Sequence, residues 1–144
     1  MTTEQKREWL GGYLKLRREM DDLRERAQKL RAEAERMSVR LTGMPGGGPS
    51  DDRLQRCAAE LADLEREYTA AAAVCTVRLR SIERAVRRLK DPVQRVILRR
   101  RWLDGESWER IAGEMSYSTR AVHYIAEKGL ERLKPRTKAK EPRP

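Results

Sequence analysis

Apolar and small residues recur through the first forty positions at steps of four and three. They are Trp9, Tyr13, Leu16, Met20, Leu23, Ala27, Leu30, Ala34, Met37 and Leu41. This spacing predicts a coiled-coil helix with Tyr13, Met20, Ala27, Ala34 and Leu41 at a. Trp9, Leu16, Leu23, Leu30 and Met37 then fall at d. Intervening positions are mostly Arg, Glu, Lys and Asp. Gly11-Gly12 is a weak point, where the helix is predicted to begin late or bend. A second stripe follows at Leu54, Cys57, Leu61, Leu64, Tyr68, Ala71, Cys75, Leu79, Ile82, Val86 and Leu89. Its steps are again three and four, except for two successive fours around Cys75. That irregularity reads as a stutter, which locally straightens a supercoil.

The segment Gly43-Met-Pro-Gly-Gly-Gly-Pro-Ser50 separates the stripes. Adjacent prolines and glycines end a helix. No Gly-Lys-Ser/Thr follows and no strand precedes it, so a phosphate-binding P-loop is excluded. Ser50 is the expected N-cap of the second helix, with Asp51 and Asp52 in its first turn. Two helices of about 40 residues, each about 60 Å long, predict an antiparallel hairpin over residues 1–90, turning at 43–50. The alternative pairs each seam with another protomer. A homodimer through the coiled coil is compatible with either arrangement.

Asp91-Pro92 marks a new start, with Asp as N-cap and Pro at the first helical position. A helix to Leu103 is predicted, then a turn at Asp104-Gly105. Ser107 caps a short helix with Trp108, Ile111, Ala112 and Met115 on its inner face. Gly113 and Ser116 help to end it. Ser118 caps a third helix running to about Leu133, with Val122, Ile125, Leu130 and Leu133 turned inward. The predicted fold is therefore all-α: a long hairpin followed by a three-helix, helix-turn-helix domain at 91–134. A basic tail at 135–144 is predicted to be disordered.

Composition sharpens this picture. Charged residues make up 39% and aromatics only 5%, with no Phe. Such a chain suits narrow apolar stripes better than a broad core or a deep apolar pocket. The 33 Lys and Arg outweigh 23 Asp and Glu, for a formal charge of +10, which points to a polyanionic partner. Residues 1–89 carry 19 basic and 15 acidic side chains, and residues 90–144 carry 14 and 8. The surplus is thus denser toward the helix-turn-helix. No apolar run approaches the roughly 20 residues of a membrane span, and a cytoplasmic location is expected. Cys57 and Cys75 lie 18 residues apart, roughly 27 Å along one helix, too far for a disulfide. One histidine and no Cys/His cluster argue against structural zinc. No catalytic arrangement is apparent, because the carboxylates interleave with Arg and Lys on helix faces. No cofactor is expected.

The second helix of a helix-turn-helix enters the major groove N-terminus first. Its outward residues are predicted to be Thr119, Arg120, His123, Tyr124, Glu127 and Lys128. Arg can bind guanine in a bidentate manner, and Thr and His supply shorter hydrogen-bonding groups. The free N–H groups at Ser118–Arg120 favour a phosphate. Arg99, Arg100 and Arg101 are further candidates for DNA contact, although three successive helical residues cannot face one way. Trp102 and Trp108 are expected as core anchors. His123 and Tyr124 have packing roles as alternatives. The basic run Arg78, Arg80, Arg84, Arg87, Arg88 and Lys90 is read as a solvated coiled-coil face, with phosphate contact as the alternative. Lys134, Arg136, Lys138 and Lys140 could add nonspecific affinity.

From Asp104 to Leu133 the chain resembles region 4 of sigma-70-type factors. The shared pattern is a small apolar helix, a Gly-Val-Ser-like turn and a recognition helix ending in Ala-Leu-x-x-Leu, here Gly129-Leu-Glu-Arg-Leu133. The order of a charged helical front, Asp-Pro, Arg-Arg-Arg-Trp-Leu-Asp-Gly and this motif is similar to ArpU/RinA-like late-transcription regulators of phages. The resemblance implies binding to double-stranded promoter DNA and contact with RNA polymerase. Thr119, Arg120, His123 and Tyr124 stand where Arg, Glu, Arg and Gln are usual, which implies a phage-specific site in place of the standard −35 element. No aromatic set like that of sigma region 2 is recognisable, so an autonomous sigma factor is not implied. The resulting expectation is a phage or prophage regulator, an activator of late genes. The competing classes are a terminase small-subunit-like packaging protein and a polymerase-binding adaptor that does not bind DNA.

Overall fold

The computed structural model describes residues 1–41 and 49–136. Among these residues, five helices follow in order: α1 (Thr3–Leu41), α2 (Pro49–Arg87), α3 (Pro92–Trp102), α4 (Trp108–Met115) and α5 (Thr119–Arg132). The chain is all-helical, with two long helices forming a hairpin ahead of three short ones. Most of the predicted 43–50 turn, and the tail from residue 137 with Lys138 and Lys140, lie outside the described residues.

α1 runs unbroken through Gly11-Gly12, contrary to the predicted late start. A Thr2-x-x-Gln5 capping box secures its beginning. Gln5 N–H donates to Thr2 Oγ1 at 3.2 Å, and Thr2 N–H donates to Gln5 Oε1 at 2.9 Å. The missing side chain at Gly12 leaves room for the guanidinium of Arg78, whose Nη1 donates to the Trp9 carbonyl at 2.9 Å. α2 opens at Pro49, so Ser50 lies inside the helix and does not cap it. Proline at a first helical position lacks only an N–H that would be unpaired anyway.

The chain forms two compact units. One is Arg17–Val74, the outer parts of α1 and α2. Here the seam follows the predicted heptads closely. Met20, Leu23, Ala27, Leu30, Ala34 and Met37 are buried or half-buried, and every residue between them is exposed. The helices run antiparallel, with Arg31 paired to Glu65 at 2.9 Å and the Cys57 thiol 3.5 Å from the Leu30 carbonyl. Burial, and less strongly the carboxylates of Glu33 and Glu60, push the Cys57 thiol pKa up. The thiol is therefore a packing group with little thiolate character.

The other unit joins residues 1–16 to everything described from Cys75 onward. Its core contains Leu10, Ile82, Ile97, Leu98, Ile111, Val122 and Leu133, each almost wholly shielded from solvent. Leu10 is absent from the predicted seam. It belongs to a second stripe, Lys6, Leu10 and Leu14, spaced one helical turn apart. Lys6 Nζ donates to the Leu130 and Glu131 carbonyls at 2.8 and 3.1 Å, so an α1 lysine satisfies the C-terminal end of α5. Leu14 packs beside Gly105, which takes positive φ in the turn after α3. At Gly129, α5 packs tightly on α3, since a Cβ there would lie 3.2 Å from Leu98 Cδ1 and 3.3 Å from Gln94 Cβ.

Candidate nucleic-acid interface

The three caps predicted for residues 91–134 are present. Asp91 accepts from Val93 N–H at 2.8 Å, with Pro92 at the first helical position. Ser107 accepts from Arg110 N–H at 3.2 Å and Ser118 from Ala121 N–H at 3.1 Å. Each fixes the first turn of its helix by satisfying one orphan donor. α4 ends where Ser116 adopts a left-handed conformation, φ 60° and ψ 36°. Tyr117 N–H then reaches back to the Ala112 carbonyl at 2.9 Å, the six-to-one bond of a Schellman turn. α4, this turn and α5 form a helix-turn-helix, and α3 packs against both helices. Ile111, Ala112, Val122, Ala126 and Leu130 fill the space behind it.

The opposite side of α5 faces solvent. Ser118, Thr119, Arg120, His123 and Tyr124 are all exposed, and Tyr124 retains 64% of its accessible surface. The Arg120 side chain makes no hydrogen bond or ion pair among the described residues. Lys128 is half-buried, lies 5.6 Å from the Tyr124 ring centroid and sits 3.5 Å from a Glu131 oxygen. Glu127, also predicted to be outward, is half-buried and paired with Arg7. That ion pair and the Lys6 bonds hold α5 by both its flank and its end.

Arg99, Arg100 and Arg101 go three ways. Arg99 is exposed. Arg100 is engaged by two carboxylates, Glu106 at 3.2 Å and Glu114, so its charge is largely answered within the protein. Arg101 Nη1 donates to the Glu106 carbonyl at 3.1 Å, and its guanidinium lies 4.8 Å from the Trp108 ring centroid. Trp108 in turn meets His123, with centroids 4.2 Å apart and planes tilted by 35°. Arg101, Trp108 and His123 thus form a stack contributed by α3, α4 and α5. Such contacts restrain an exposed imidazole without burying it. Trp108 is half-buried and serves as the platform for His123, a role that its place on the inner face of α4 did not suggest. Half-buried Trp102 lies against Gly11.

Two further features escaped sequence reasoning. Tyr117, 40% exposed, stands in the turn immediately before Ser118. Glu114 joins Arg100 and Arg110 at the end of α4. The hydrogen bond from Arg110, followed by the charge and hydrogen bond of Arg100, holds the Glu114 carboxyl below its ordinary pKa despite partial desolvation. Among the described residues, no group of His, Cys, Asp and Glu is arranged to hold a metal ion, and no helix is long and apolar enough to cross a membrane. No protein-family model, curated protein or solved structure matches this chain.

Proposed function

We propose that this chain is a sequence-specific DNA-binding regulator of transcription, of the phage or prophage late-gene type. The carrying observation is the capped α5, whose first turns present Thr119, Arg120, His123 and Tyr124 on one solvent-facing side, with the Arg120 guanidinium unpaired among the described residues. In this reading α5 lies in the major groove, Arg120 reads a guanine edge, and Thr119 and His123 add shorter contacts. The N–H groups at the start of α5 take a phosphate. The Arg101–Trp108–His123 stack holds the imidazole ready before DNA arrives, which reduces the ordering cost of binding. The coiled coil sets oligomeric state or recruits RNA polymerase. Arg100 contributes to the fold more than to DNA, because two carboxylates occupy it.

Selection from a pool of randomised duplexes tests the reading. The full chain is expected to enrich a short motif at moderate salt. A pool that remains random, with no binding even at low salt where phosphate contacts are strongest, would contradict it and favour a protein-only adaptor.

A further inference from the structure

The residues around the C-terminal end of α5 form a second, distinct feature. A cleft of about 550 Å³ lies between the end of α2 and the segment after α5. Its rim carries Arg88, Lys90, Arg132, Lys134 and Arg136, and its floor is Ala85 and Leu89. Among the described residues, no carboxylate lines it. The nearby acids are otherwise engaged: Glu131 lies 3.5 Å from Lys128 and Asp91 caps α3. Arg88 Nη2 donates to the Lys134 carbonyl at 2.8 Å, and Leu133 is buried. These contacts pin the segment after α5, so the cations of two remote stretches of sequence converge.

We propose that this cleft is a second DNA contact, one that takes the phosphodiester backbone flanking the sequence read by α5. The inference rests on the major-groove reading. α5 has 14 residues, about 21 Å of helix, whereas the major groove that it enters N-terminus first is about 8.5 Å deep. A helix docked by its first turn therefore carries its last turn beyond the groove edge, to the level of the neighbouring phosphates. Among the described residues, the lining supplies three guanidiniums and two ammoniums but no aromatic ring and no side-chain acceptor. It recognises charge without distinguishing bases, as backbone contacts do.

The test compares the full-length protein with R132Q/K134Q/R136Q, and with R17Q/R18Q/R24Q as a control of equal charge loss. All six substituted residues are exposed. DNA affinity is measured from 50 to 200 mM salt. The cleft variant is expected to lose about 2 to 3 from the slope of log affinity against log salt. Its affinity loss across that range then shrinks by about 40-fold, while the enriched motif is unchanged. The control is expected to change the slope by less than about 1. An unchanged slope in the cleft variant, or equal changes in both variants, overturns the proposal and leaves the α5 reading intact. Loss of binding to a polyglutamate peptide with no change in DNA slope also overturns it, and makes the cleft a protein-docking site. Failure of the unsubstituted chain to bind DNA at 50 mM salt sinks both readings.

Discussion

Arg17–Val74 and the unit built from the chain's beginning and its C-terminal half use the same kind of helix but bury it very differently. Among the described residues of Arg17–Val74, only Ala27 and Cys57 are buried, and Leu23, Leu30 and Leu64 are half-covered. Two helices can cover each seam from one side only. In the other unit, α3, α4 and α5 add further surfaces, and eight large side chains there are almost fully shielded. Periodic spacing therefore makes the outer hairpin, whereas the helix-turn-helix is held by contacts between remote parts of the chain. The first turns of α1 belong physically to the domain that carries α5.

The strongest way to break this comparison uses two leucines of α1. Leu10→Ala should cost about 2–5 kcal/mol in a urea titration, as expected for a fully buried leucine. Leu23→Ala, 13 residues further along, should cost about 1–2 kcal/mol because part of its surface already meets water. Equal costs, or the reverse order, would show that the first turns of α1 are not part of the C-terminal core.

A smaller effect of opposite sign is expected at the α4–α5 turn. Ser116 occupies the left-handed region, where a side chain costs roughly 1–2 kcal/mol. Ser116→Gly should therefore raise stability by about 1 kcal/mol, read as a higher thermal midpoint. A lower midpoint would mean that the serine side chain contributes something beyond the turn geometry.

The smallest effect concerns pH. The folded pKa of Glu114 is depressed, first by the hydrogen bond from Arg110. Its stabilising contribution is thus fully present above the ordinary carboxylate pKa. It is lost as pH falls through the lower, folded value. Glu114→Gln lacks that contribution, so the stability gap between the two proteins should close on acidification. Urea midpoints at neutral and acidic pH measure the gap, and a gap that widens in acid contradicts the assignment.

Much of this architecture is legible in the sequence because its determinants are local. The heptad steps mark the seam residue by residue through the outer hairpin. Asp91, Ser107 and Ser118 mark three helix starts because a cap acts on N–H groups within its own first turn. Other features join residues that no spacing rule connects. Lys6 reaches the Leu130 carbonyl, Arg7 pairs with Glu127, and Arg88 holds the Lys134 carbonyl. The second α1 stripe is obscured because Lys6 looks like a solvated charge, although it is 8% exposed. The outward side of α5 follows from helical period alone, but the roles of Trp108 under His123 and of Glu114 beside Arg100 depend on α4 meeting its neighbours. The Thr2-x-x-Gln5 box is local and legible from its spacing, and it outweighs the later start that Gly11-Gly12 predicts.

The central claim is that the exposed first turns of α5 read DNA sequence. Its most direct test repeats the duplex selection in parallel with Arg120→Ala and, in the outer hairpin, Arg24→Ala. Arg120→Ala should lose preference at one base position, costing about 1–3 kcal/mol on the selected site. Arg24→Ala should retain the motif unchanged. An identical motif and affinity for Arg120→Ala, or a motif altered by Arg24→Ala alone, would contradict the account.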